Sequence, residues 1–97
     1  MGNISEKEFA RLCEGIAADR AVIIKHNPLG TDSELLLWML LSCLNSYLSL
    51  TDKEAPCFTG VPDESTYREA IRFVLRGRTD GGFDPEPYLD KLVRNDS

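Results

Sequence analysis

Glu34–Leu50 reads ELLLWMLLSCLNSYLSL and is the longest, most apolar segment of the chain. Leucine, methionine and tryptophan dominate it, and no β-branched residue occurs before Thr51, so the composition favours helix over strand. The preceding Thr31-Asp32-Ser33-Glu34 has capping-box spacing. Thr31 can accept from the amide three residues on, while Glu34 reaches back to the Thr31 amide. Asp32 and Glu34 add negative charge at the positive end of the helix dipole. Leu35 to Leu50 would span about 24 Å as a helix. That is short of the roughly 20 residues needed to cross a bilayer, and Ser42, Asn45, Ser46 and Ser49 interrupt it. The segment is expected to be a core helix, with no membrane span.

On a helical projection Ser42, Asn45, Ser46 and Ser49 fall in one arc, and the rest of the circumference is apolar. Trp38 projects from the middle of the polar arc, in line with Ser42, Asn45 and Ser49. The steps of four, three and four residues resemble a helix-packing seam. Two readings are open: Trp38 closes the edge of the core beneath a loop, or it anchors a partner or self-association seam, as tryptophan does at many interfaces.

The remaining chain supplies helices to surround this one. Ser5-Glu6-Lys7-Glu8 is a second capping box. Phe9, Leu12, Cys13, Ile16, Ala17, Ile23 and Ile24 share a face at helical spacing, which predicts a helix over 6–25. Arg20 falls in the centre of that face. It requires a carboxylate partner if the helix is continuous; otherwise the helix bends or ends near Asp19. Asn27-Pro28 then forces a short turn. Asp63 and Glu64 open a helix over 62–76, with Tyr67, Ala70, Ile71, Val74 and Leu75 inward and Gly77 as the residue after the cap. Asp84-Pro85 starts a short helix over 85–94. The expected fold is one all-α domain over 1–97: a compact four-helix irregular or orthogonal bundle around a central apolar helix at about 32–50.

With 97 residues the chain is long enough for a small core, and 42% hydrophobic and 28% charged residues are ordinary for a globular domain. The net charge of −5 is unevenly placed. Arg68, Arg72, Arg76 and Arg78 against Glu69 make a basic patch between acidic flanks. The first three recur every four residues and form a ridge, with Phe73 on its flank. The planar guanidinium fork suits an acidic partner or a phosphate. The plainer reading pairs the ridge with Glu64, Glu69 or the acidic tail. Binding to nucleic acid through Arg68–Arg78 is an alternative that the overall negative field and the lack of interleaved aromatics disfavour.

Few residues point to chemistry. Cys13, Cys43 and Cys57 are odd in number and scattered, and the first residues, MGNISEKEF, lack the basic and apolar regions of a secretory signal. Both features point to a reducing, cytoplasmic setting. Cys and His spacing matches no zinc set, and the acids at 80, 84 and 86 lack the spacing of a calcium loop. His26 has no second ligand or base at a telling spacing. No phosphate-binding glycine loop or nucleophile elbow occurs. The reading therefore names no catalytic residue, no metal and no cofactor, and leans against an enzyme. It expects a cytosolic protein-interaction module: an adaptor, inhibitor or accessory subunit whose partner is another protein or a second copy. Its candidate contact residues are Trp38, Ser42, Asn45, Ser49, Arg68, Arg72, Phe73, Arg76 and Arg78. A small-ligand or enzymatic site under the turn-rich 51–61 loop is the other alternative.

Overall fold

The computed structural model describes residues 3–26, 30–48 and 63–94. Within them the chain is all-α. The helices are α1 (Glu6–Ala18), α2 (Arg20–His26), α3 (Asp32–Leu48), α4 (Glu64–Leu75) and α5 (Glu86–Val93), with a 3₁₀ turn at Asp80–Gly82 before the last.

The caps explain where the helices begin. At α3, Thr31 Oγ1 accepts from the Glu34 amide at 3.2 Å, and the Thr31 amide donates to Glu34 Oε1 at 3.4 Å. This is the expected reciprocal box. At α1, Ser5 Oγ accepts from the Glu8 amide at 3.2 Å, but the Glu8 carboxylate takes the Ser5 hydroxyl instead of the Ser5 amide. Asp63 caps α4, accepting from both the amide and the hydroxyl of Thr66. Before α5, Asp84 Oδ1 accepts from the Glu86 amide at 3.0 Å while Pro85 already has helical φ and ψ, so Asp84 acts as the cap.

The single helix expected over 6–25 is two helices. Asp19 leaves helical geometry at φ −95°, ψ 11°, and its amide is shared between the Gly15 and Ile16 carbonyls. The break has a physical reason in the next residue. It takes Arg20 off the apolar stripe and lets Nη2 reach Asp32 Oδ2 at 3.3 Å. Ile23 remains buried beyond the break, while Val22 turns outward. The described residues thus hold five helices, not four, around the same centre.

That centre is α3. Leu35, Leu36, Leu37, Leu40, Leu41, Leu44 and Leu48 are all buried, and α3 packs against each of the other four helices. α5 packs against α1 as well. Phe9, Phe83 and Tyr88 meet with ring centroids 5.5 to 6.5 Å apart and tie α1, the turn before α5 and α5 together. Ile4 is fully buried, and its backbone pairs with the α4–α5 connection: its amide donates to the Arg78 carbonyl, and its carbonyl accepts from Asp80. Gly81 and Gly82, at φ 75° and 62°, reverse the chain immediately after this contact. Among the described residues no helix is long and apolar enough to cross a membrane.

Candidate interaction surfaces

Of the expected seam on α3, Trp38, Ser42 and Asn45 lie within the described residues. Trp38 is 39% exposed. One turn on, the half-buried Ser42 donates its hydroxyl to the Trp38 carbonyl at 3.1 Å. That bond folds the serine onto its own helix. Asn45 is half-buried, and its Oδ1 is covered without a donor among the described residues. A covered amide oxygen left unpaired costs about 1–3 kcal/mol. Ser46 is exposed on the same arc. Ser49, the last residue of the seam, lies outside the described residues, as do the 51–61 loop and Cys57.

The arginine ridge of α4 is not one surface. Arg68 is largely covered, its side chain 16% exposed, and its guanidinium meets Glu64 at 3.1 Å, Glu86 at 3.1 Å and Asp90 at 2.9 Å. Burial lowers the Arg68 pKa, but Asp90 and Glu64 outweigh it, so the guanidinium is held above its usual value. Arg72 pairs with the other oxygen of Glu86. Both residues therefore bind α4 to α5. Arg78 curls back to donate to the Val74 and Arg76 carbonyls. Arg76 is exposed, beside Phe73, which is 49% exposed. These two and Phe83 border an open cleft of about 420 Å³.

Two carboxylates in the first turn of α1 have roles that sequence reasoning missed. Tyr88 donates to Glu6 Oε2 at 2.6 Å, and Tyr47 donates to Glu8. Pairings separated by 82 and 39 positions leave no local signal in the sequence. The burial of Ile4 did leave one. Ile4 precedes the Ser5 cap and Phe9 lies four residues into α1, the spacing of a hydrophobic staple, and both are fully buried.

Reactive chemistry is sparse among the described residues. Burial, with the Glu14 charge, pushes the Cys13 thiol up to about 12, and burial also raises the Cys43 thiol. Neither is a ready thiolate. No group of three or more His, Cys, Asp or Glu side chains among the described residues is placed to hold a metal ion. A second and larger depression, about 840 Å³, lies between α1 and α5. Searches of protein-family models, curated proteins and solved structures find nothing similar to this chain.

Proposed function

We propose that this protein is a small cytosolic interaction module that works through the Trp38 face of α3, with a second copy of the chain as its partner. The observation that carries the reading is the 39% exposure of Trp38 on the helix that holds seven buried leucines; Tyr47, 41% exposed on the same helix, is instead bonded to Glu8. A large indole left in water beside small side chains is the pattern of an interface anchor. The face is also self-complementary. In an antiparallel pairing about Ser42, Trp38 lies over Ser46 of the second copy, so a large residue meets a small one on both sides of the two-fold axis.

The basic ridge gives less support to nucleic-acid binding than the sequence alone, because Arg68 and Arg72 are engaged by Glu64, Glu86 and Asp90. The alternative site under the 51–61 loop lies outside the described residues.

Light scattering across a concentration series tests the proposal. The expected result is a mass rising toward twice the monomer, returning to the monomer in Trp38→Glu. Trp38 is the only tryptophan, so its emission should shift blue over the same concentrations. A wild-type chain that stays monomeric with unshifted emission overturns the reading.

A further inference from the structure

The depression between α1 and α5 has a direction. Tyr88 bonds to Glu6 and its ring packs on Phe9, so the two helices start side by side. Arg20 and Arg94 then stand at the opposite end. Along the α1 wall Ala10, Cys13 and Ala17 are small residues separated by three and four positions, which makes a trough; Leu92 and Tyr88 supply the facing wall. The Cys13 thiol stays protonated and adds an apolar surface to the floor. About 840 Å³ lies within the range of small-molecule sites, which are mostly apolar with a few placed polar groups.

The charges at the rim select the ligand. Of the five charged residues bordering the trough, Asp90 is turned to Arg68 and Arg20 to Asp32. That leaves Lys91 and Arg94 against Glu14, and neither cation makes an ion pair among the described residues. On a chain of net charge −5 this is a local excess of positive charge beside an apolar channel. We propose that the α1–α5 trough binds an elongated apolar molecule with one anionic head group. The body lies along Ala10, Cys13, Ala17 and Leu92, and the head lies at Lys91 and Arg94. This site is separate from the Trp38 face and does not depend on it.

Titration with dansylundecanoate and with its methyl ester, exciting the dansyl group directly, tests the assignment. Saturable binding is expected, with the acid tighter than the ester by roughly three- to tenfold, the range for two solvent-screened cations. The Lys91→Glu, Arg94→Glu double variant should bring the acid down to the ester. Ala17→Trp should weaken both, and Trp38→Glu should change neither. Circular dichroism checks that Ala17→Trp is folded. If it is not, Ala10→Trp blocks the other end of the trough, and amide shifts of the wild-type chain on titration should cluster at Ala10, Ala17 and Leu92. Absence of saturable binding, equal affinity for acid and ester, or shifts centred elsewhere would overturn the proposal.

Discussion

Arg20 Nη2 stands 3.3 Å from Asp32 Oδ2, and the helix carrying Arg20 is broken one residue before it. The two facts are linked. A continuous helix would place the guanidinium in the middle of the face formed by Phe9, Cys13, Ile16 and Ile23, where burying it is costly. The turn at Asp19 brings it to the first turn of α3. The pair is partly exposed, with side chains 22% and 52% accessible. A double-mutant cycle on Arg20→Ala and Asp32→Ala should therefore give a coupling of only about 0.5–1 kcal/mol by urea denaturation. Asp32→Ala should cost a few tenths of a kcal/mol more through the α3 dipole.

Arg68 holds α4 to α5 in a different way. Its three carboxylates come from two helices, and its own side chain is nearly covered. Glu64, Glu86 and Asp90 keep 34–54% of their surface, so solvent screens much of the network. Arg68→Met keeps the aliphatic bulk and removes the charge. It should cost about 1–2 kcal/mol, more than the Arg20→Ala variant, because three anions lose one cation. Equal losses in urea midpoint for the two variants would show that the α4–α5 joint is made by apolar packing alone.

These two arginines also mark the limits of the sequence. Period and caps made the helices legible: α3, α4 and α5 start within a residue or two of their predicted positions because Thr31, Asp63 and Asp84 are local signals. The pairing of Arg68 was legible as a class, since Glu64 lies one turn away, but Asp90 is 22 positions on and only the packing of α5 reveals it. The break at Asp19 was an open alternative to a continuous helix, because hydrophobic spacing alone runs through it. The exposure of Trp38 could not be read from α3 alone, because whether its arc is covered depends on elements elsewhere in the fold. The α1–α5 trough arises from small residues facing across two distant helices, and no single-helix pattern encodes it.

Asp63 should make part of the stability pH-dependent. Hydrogen bonds from the Thr66 hydroxyl and amide hold its carboxyl below the usual aspartate value. A depressed folded-state pKa stabilises the fold above the unfolded-state pKa, and that contribution is lost as pH falls through the folded value. Asp63→Asn retains an oxygen for the cap but does not titrate. Its unfolding midpoint should therefore fall less steeply than wild type on the acid side of the ordinary aspartate range. Parallel acid limbs for the two proteins would remove Asp63 as a contributor.

Cys13 should behave as part of the core. With its thiol raised to about 12, the folded protein has almost no Cys13 thiolate at neutral pH. In a Cys43→Ser, Cys57→Ser background, alkylation by iodoacetamide at neutral pH should be much slower in the folded protein than in the unfolded chain, because the folded thiol is protonated. Its rate should rise with urea in step with unfolding. The same shift has a stability consequence of opposite sign to that of Asp63. A thiol whose pKa is higher folded than unfolded stabilises the fold below its unfolded value near 9, and this contribution is lost as pH climbs toward about 12.

Ile4 supplies the most discriminating stability measurement. It lies outside every helix, yet it has no exposed surface and its backbone is bonded on both sides to the segment joining α4 and α5. Ile4→Ala should cost about 2–4 kcal/mol, the range for emptying a closed apolar site. Ile4→Val should cost about 1 kcal/mol. The backbone bonds to Arg78 and Asp80 do not depend on the side chain, so in both variants the Asp80 amide should remain protected from hydrogen exchange relative to the unfolded chain. If Ile4→Ala instead unfolds this contact locally, Asp80 will exchange freely while the α3 amides keep their protection. Retained protection at both places, with a lowered urea midpoint, would establish that the residue before the Ser5 cap belongs to the same cooperative core as α3.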